Sequence, residues 1–228
     1  MAKVVKPVDA AGLVLIRAGA KGEPEILLGR RHRKAGFLPD IYVVPGGRVD
    51  PADHAPSGFA ESLHPAVSAA LQSGGSRRPA LAFPRAALRE THEETGILVG
   101  SLGQRVAASN QPIWQAYGAA GLAPAFGRLD FICRAITPVT SARRYNTRFF
   151  LADGSQAAGL IGSNGELEDL AWRPVSTLGG LNIVDVTEYV LKEALRRWQA
   201  RAPAGAEPAK LLNYRNDIMT LSRHRARA

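Results

Sequence analysis

The sequence Arg89-Glu90-Thr91-His92-Glu93-Glu94-Thr95-Gly96-Ile97, with the turn Pro45-Gly46-Gly47 upstream of it, decides how this chain is interpreted. On a helix of 3.6 residues per turn, Glu90, Glu93 and Glu94 (i, i+3, i+4) share one face. Like charges at this spacing weaken a helix by a few tenths of a kcal/mol, and a bound cation reverses the effect. Carboxylate oxygens suit hard divalent ions, so we predict that the three glutamates bind Mg2+ or Mn2+.

Single residues in the sequence mark the two ends of this helix and the turn that precedes it. Pro84 suits a first helical position and Gly96 suits a helix end, which predicts a helix over 84–95. Gly46 and Gly47 allow backbone to approach a ligand closely or to adopt a positive φ, whereas a purely structural turn needs only one glycine. We therefore predict that Gly46 and Gly47 contact the substrate.

The two segments together resemble a known motif. Arg89-Glu90-x-x-Glu93-Glu94-x-Gly96-Ile97 resembles the second half of the Nudix box, G-x5-E-x7-R-E-U-x-E-E-x-G-U with U aliphatic, and Gly47 with Asp53 resembles its first half. Asp53 replaces the first glutamate, Thr91 replaces an aliphatic residue, and an insertion of about 54–83 splits the box. The resemblance implies the Nudix α/β/α sandwich with a mixed sheet, and metal-dependent phosphoryl chemistry.

The split box resembles one branch of this superfamily more closely. The stretches 45–53 and 143–150, together with Thr137-Pro138, are similar to the branch that includes peroxisomal acyl-CoA diphosphatases. This implies hydrolysis of the diphosphate linkage in a nucleoside diphosphate derivative, with CoA or acyl-CoA as one candidate substrate. Gly36 and Asp40 stand where the CoA-associated Nudix signature has Arg and Gly, so ADP-ribose, dinucleotides and damaged nucleotides stay open. A Nudix-fold sensor or nucleic-acid-binding module without turnover is a further alternative.

The resemblance also assigns roles to single residues. Arg89 lies i,i+4 from Glu93 and would orient this carboxylate rather than contact the substrate. Family members take the base that activates water from the box or from a loop before a late strand. Glu166 and Glu168 occupy such a loop, although both could be ordinary surface acids. The predicted catalytic residues are therefore Glu93, Arg89, Glu166 and Glu168.

Charge favours an anionic ligand. The chain has 29 Lys and Arg against 20 Asp and Glu, a net charge of +9. Basic clusters at 30–34 and 143–144 predict that Arg31 and Arg144 bind a phosphorylated small molecule. No aromatic interleaving or nucleic-acid-binding motif accompanies these clusters, which makes nucleic acid an unlikely partner. A homodimer is left open.

The remaining composition indicates a globular, cytoplasmic protein. The single cysteine, Cys133, excludes an internal disulfide, and its apolar surroundings predict a buried, inert thiol. No apolar run approaches the roughly 18 residues of a membrane-spanning helix, and the run 12–16 is too short for a signal segment. We expect no membrane partner.

The predicted organisation is a Nudix domain at 10–200 followed by a linker and basic tail at 201–228. The tail could fold back on the domain or extend to a partner. The insertion could be a lid, an interface or a surface excursion. Asp185 with Glu188 predicts a capping box for the last helix. Strands are predicted at 11–17, 25–29, 41–44, 129–136, 147–151 and 170–172, and helices at 60–71, 84–95, 111–120 and 186–198.

Overall fold

The apolar segment near the N-terminus forms the centre of the sheet. A computed structural model describes residues 5–73, 76, 78–215 and 218–224. In it, β1 (Val8–Ala18) pairs in parallel with β8 (Tyr145–Asp153) and antiparallel with β2 (Pro24–Arg31). Both kinds of pairing in one sheet confirm the predicted mixed sheet.

Within the described residues, the main sheet has nine strands in the order β10-β2-β1-β8-β7-β11-β12, with β3 on β2 and β4 on β1. A small second sheet has the order β6-β5-β9. The other strands are β3 (Tyr42–Val43), β4 (Gly46–Arg48), β5 (Leu98–Leu102), β6 (Leu122–Pro124), β7 (Asp130–Ile136), β9 (Ala157–Ala158), β10 (Leu167–Pro174), β11 (Lys210–Arg215) and β12 (Ile218–Arg223). The helices are α1 (Pro65–Gln72), α2 (Ala82–Thr95), α3 (Pro112–Ala119) and α4 (Asp185–Gln199).

Side chains of β1 alternate between two buried layers, as expected for a strand covered on both faces. Leu13 and Leu15 pack in the core that also contains residues of α1, α2 and α3. Val14 and Ile16 pack in the core beneath α4. Helices on both faces of a mixed sheet confirm the predicted α/β/α sandwich.

Helix α2 carries the box glutamates and ends where the sequence predicts. Gly96 takes a φ of 72°, and its N–H donates to the carbonyl of His92 over 2.8 Å. A Cβ at this position would come 2.8 Å from the carbonyl oxygen of Leu160, so neither the backbone nor the neighbouring loop leaves room for a side chain. The helix therefore ends at Thr95, and the chain turns into β5 after Gly96.

The insertion is fastened to the first turn of α2. Arg85 is buried and donates from Nε to Glu61 Oε1 over 2.8 Å. Its Nη1 donates to the carbonyls of Asp53 and His54 over 3.1 and 3.0 Å. One arginine thus ties the start of the insertion to its middle. Helix α1 overlaps the helix predicted at 60–71 but begins at Pro65 and ends at Gln72, and it packs in the same core as α2.

The segment beyond residue 200 returns to the sheet. β11 pairs in parallel with β7, and β12 pairs with β11 at the edge, so the tail folds back on the domain. Residues 225–228 of the predicted basic tail lie outside the described residues. The predicted capping box does not form, because Asp185 is the first residue of α4 and follows the cap residue Val184. The Asp185 carboxylate instead accepts from the hydroxyl of Tyr214 over 2.9 and 3.0 Å.

The burial of the cysteine and the character of the helices agree with the expectations drawn from the composition. Cys133 is fully buried in β7, and burial raises the pKa of its thiol. A protonated, inaccessible thiol is a poor nucleophile, which agrees with the inert cysteine predicted. None of the helices in the described ranges is both long and apolar enough to cross a membrane.

Candidate active site

The three box glutamates face the twin-glycine turn across a cavity of about 670 Å³. Glu90, Glu93 and Glu94 all line this cavity. Glu94 Oε2 accepts from the N–H of Gly46 over 2.8 Å. A Cβ on Gly47 would lie 2.4 Å from Cδ of Glu90, so this carboxylate lies directly over the glycine. The turn and the helix face therefore form one site.

Arg89 lies among the carboxylates and bridges Glu90, Glu93 and Asp53. Its Nη1 donates to Glu90 Oε1 over 3.0 Å and to Glu93 Oε2 over 2.8 Å. Its Nε and Nη2 donate to the two carboxylate oxygens of Asp53 over 2.9 and 3.0 Å. Such bidentate pairs fix both partners in one plane. Asp53, although shorter than the glutamate of the motif, is fully buried and still reaches this arginine.

The charges around Arg89 hold its guanidinium in the protonated form. Burial lowers the pKa of Arg89, but the hydrogen bond to Asp53 and the charges of Glu90 and Glu93 outweigh it and raise that pKa. The Glu93 side chain is half exposed, at 47% of its area, while that of Glu90 is 14% exposed. Arg89 is thus placed to orient carboxylates and is itself fixed by Asp53.

The deeper carboxylates carry a charge that the protein does not balance. Burial raises the pKa of Glu94 to about 8, and the neighbouring charges of Glu90 and Glu166 add to the shift. Burial likewise raises the pKa of Glu90 to about 7 against the opposing effect of Arg89. Carboxyl groups that titrate near neutral pH in a cleft are typical of functional sites. A cation would restore their ionised forms.

The described part of the chain contains no group of three or more His, Cys, Asp or Glu side chains close enough together to hold a metal ion. The hydrogen bonds explain this arrangement of the predicted ligands. Glu90 and Glu93 turn towards Arg89, whereas Glu94 turns towards the N–H of Gly46.

The two candidate bases are placed differently. Glu166 lines the cavity, and its charge raises the pKa values of both Glu90 and Glu94. Glu168 pairs with Arg30 Nη2 over 3.0 Å and with His32 Nε2 over 3.5 Å, and is not among the described residues that line the cavity. The structure thus corrects the prediction for Glu168. The physical reason is strand register, because β10 sets Glu168 opposite Arg30 of β2.

The two arginines predicted to bind the substrate also lie in different places. Arg31 lines the cavity, its Nε donates to the carbonyl of Phe37 over 3.0 Å, and its charge lowers the pKa of Glu94. Arg144 is buried, and its guanidinium donates to backbone carbonyls. It donates from Nε to Thr137 over 3.2 Å and from Nη1 to Val5 over 2.8 Å. Since Arg144 does not reach the cavity wall, the structure corrects its assignment to substrate binding.

Sequence reasoning missed several parts of the cavity wall. Tyr214 of the C-terminal hairpin lines it, as does Arg48 beside the twin glycines. No local signal marks Tyr214, because its place depends on how β11 joins the sheet. Apolar side chains form much of the remaining wall, namely Phe37, Ile41, Val44, Ile136, Phe149 and Val186.

Comparison with known proteins places the fold of this chain among Nudix structures. No protein-family model matches the chain. A Nudix hydrolase from Alicyclobacillus acidocaldarius superposes with a TM-score of 0.65 at 28% identity, over 90% of this chain and 100% of that one. A MutT protein from Bacillus halodurans has a TM-score of 0.50 at 13% identity, over 94% and 97% of the two chains, which is a likeness of fold alone.

The fold and the box glutamates beside the twin-glycine turn are features that this chain shares with the Nudix hydrolase superfamily. Members of this superfamily generally use divalent metal ions. Within it, the chain is similar to the acyl-coenzyme A diphosphatase NUDT19 of Gallus gallus, with 32% identity over 133 residues. That alignment covers 45% of this chain and only 35% of the relative.

Proposed function

We propose that this chain is a pyrophosphohydrolase that cleaves the diphosphate linkage of a nucleoside diphosphate derivative. The observation that carries the proposal is the pair of carboxylates, buried Glu94 and partly buried Glu90, on the wall of a large cavity and in contact with Gly46-Gly47. Such a pair is costly in a protein that does not use it, because burial disfavours the charge of both carboxylates and Arg89 offsets it only at Glu90.

The residues present fit a hard divalent ion. Glu90, Glu93 and Glu94 offer only oxygen atoms, and the raised pKa values of Glu90 and Glu94 reflect surroundings that disfavour their negative charge, which a cation would stabilise. When bound, Mg2+ or Mn2+ would polarise a phosphoryl oxygen and lower the pKa of a bound water.

The protein's own groups would position these carboxylates and move a proton. Arg89 holds the carboxylates of Glu90 and Glu93, and Asp53 prevents the guanidinium from rotating. The N–H of Gly46 fixes Glu94. Glu166 lines the same cavity, and we assign to its carboxylate the role of accepting a proton from the attacking water. Arg31 would offset charge on the diphosphate.

Coenzyme A or its acyl esters are the proposed substrates. Similarity to the acyl-coenzyme A diphosphatase of Gallus gallus supports this class. The apolar part of the wall, with Ile41, Ile136 and Phe149 among it, supports a substrate with an extended apolar arm beside its diphosphate. ADP-ribose and dinucleotides share the diphosphate and are the alternatives.

The test is product release in Mg2+ from coenzyme A, an acyl-coenzyme A, ADP-ribose, NADH and a diadenosine compound. We expect turnover of at least one substrate and a loss of about 10²-fold or more in Glu93→Gln. Glu166→Gln and Glu168→Gln are a matched pair that removes one negative charge each. A proton-accepting Glu166 predicts a fall in kcat of about 10²–10⁴-fold for Glu166→Gln alone.

Two results would contradict the proposal. Equal losses in both members of the pair would remove Glu166 from its assigned role. No turnover of any substrate, together with tight and salt-sensitive binding of nucleic acid, would favour the non-catalytic module suggested by the net charge of +9.

A further inference from the structure

Two loops contribute to the part of the cavity wall that we call its mouth. The first loop, residues 32–40, contributes Phe37 and Leu38 to the cavity wall, and the segment that follows β7 contributes Pro138 and Ser141. The rings of Phe37 and Tyr145 meet edge to face with centroids 5.0 Å apart. The two loops are therefore held together at the opening.

Arg143 lies at this junction. Its guanidinium packs on Gly36 so closely that a Cβ there would come 2.5 Å from Nη1. Both residues are exposed, and Arg143 stands two positions from Ser141 and from Tyr145, which line the cavity. Arg143 is not itself among the residues that line the cavity, but its contact with Gly36 and its neighbours Ser141 and Tyr145 place it beside the wall.

Arg143 differs from the arginines around it in its contacts with the described part of the chain. Arg30 pairs with Asp40 and Glu168, and Arg33 lies 3.6 Å from Asp40. Arg144 donates hydrogen bonds to backbone carbonyls. Among the residues that the structure describes, no hydrogen bond or ion pair engages Arg143. Its donors are available to a ligand.

The charged groups that line the cavity are distinct from Arg143. Glu90, Glu94 and Glu166 line the cavity together with the cation Arg31. Arg143 lies outside this lining. A substrate whose diphosphate lies at the carboxylates would meet Arg143 with another of its groups.

We propose that Arg143 binds a phosphate monoester that the substrate carries in addition to its diphosphate. This rests on the proposed hydrolase function and makes Arg143 a specificity-determining residue. A guanidinium offers paired N–H donors that match phosphate oxygens, and a monoester dianion gives it more charge to bind than a diester does. The segment 137–144 would thus select substrates that bear a phosphorylated ribose.

Two variants separate the position of the guanidinium from its charge. Arg143→Gln removes the charge. Gly36→Ala keeps the charge but adds a Cβ where Nη1 now lies, and the flexible arginine can move away without disturbing the fold. Arg33→Gln is the control, because it removes one positive charge from the same mouth at a side chain that is 75% exposed and pairs with Asp40.

The substrates are used in pairs that differ by one monoester, coenzyme A with 3′-dephospho-coenzyme A and NADPH with NADH. We expect the wild type to prefer the monoester in at least one pair. Arg143→Gln should raise KM about tenfold for that member, leave kcat within about twofold, and leave the other member unchanged. Gly36→Ala should raise the same KM by a smaller factor, and Arg33→Gln should not change the preference.

Direct binding keeps the test independent of turnover. In calorimetry, adenosine 3′,5′-bisphosphate should bind the wild type about tenfold more tightly than AMP, and Arg143→Gln should equalise the two. A preference that survives in Arg143→Gln, or none in the wild type, overturns the proposal. Absent turnover with this binding difference intact would instead refute the proposed hydrolase and leave Arg143 as a phosphate site.

Discussion

An added methyl group should act differently at the two glycines of the turn. At Gly46 it should lower the stability, and at Gly47 it should lower the activity. A Cβ on Gly46 would lie 2.4 Å from the carbonyl oxygen of Ala11 and 2.6 Å from Cα of Gly12, both in the backbone of β1. A Cβ on Gly47 would lie 2.4 Å from Cδ and 2.5 Å from Oε1 of Glu90, at the free end of a side chain. The first clash requires a strand to move, whereas the second requires only a rotation of the carboxylate.

The magnitudes follow from what must move. In Gly46→Ala, overpacking costs about 1–3 kcal/mol. The φ of 156°, which side chains rarely adopt, adds about 1 kcal/mol. At about 2–4 °C per kcal/mol for a chain of this size, Tm should fall by about 4–16 °C. In Gly47→Ala we expect Tm to change by less than about 3 °C. A displacement of Glu90 by about 1 Å should lower kcat/KM about 10²-fold.

The assay is thermal unfolding of both variants, followed by kcat/KM in Mg2+ on the substrate that the wild type cleaves. Gly179→Ala is the control, since a Cβ there meets nothing within 4 Å. A double-mutant cycle of Gly47→Ala with Glu90→Ala should show that any loss of stability in Gly47→Ala depends on Glu90. Full activity in Gly47→Ala, or a Tm as low as in Gly46→Ala, would refute the placement of Glu90 over this glycine.

Three further predictions concern the groups around the site. Asp53→Asn breaks a fully buried pair with Arg89 and should cost about 3–5 kcal/mol of unfolding free energy in urea, and a loss below about 1 kcal/mol would contradict the bidentate contact. Glu94 binds its proton more tightly in the folded state, with a pKa of about 8 against 4.5, so the stability of chelator-treated protein should fall as pH rises from about 5 to 8, by up to about 1.4 kcal/mol per pH unit. Mg2+ should flatten this dependence, and a curve that rises with pH would show that the folded state does not raise that pKa. Glu61→Gln weakens the tie between the insertion and Arg85 and should speed proteolysis within 54–83 before global unfolding, whereas cleavage at the wild-type rate would show that Arg85 does not fasten the insertion.

Local chemistry determined the parts of this protein that sequence reasoning found. The spacing of Glu90, Glu93 and Glu94 sets one helix face whatever the rest of the chain does, and Gly96 ends that helix by its own conformational freedom. The apolar run of β1 required burial on both faces, which two helical layers supply. These features depend on residues within a turn or two of one another.

Tertiary structure alone decided which side chains share the cavity. Strand register takes Glu168 to Arg30 and leaves Glu166 at the wall. Arg144 turns to backbone carbonyls, while its neighbour Arg143 reaches Gly36, where the CoA-associated signature has an arginine. The physical reason is that these contacts join segments up to a hundred or more residues apart. Their formation depends on how the strands pair, and residue types in each segment do not encode that pairing separately.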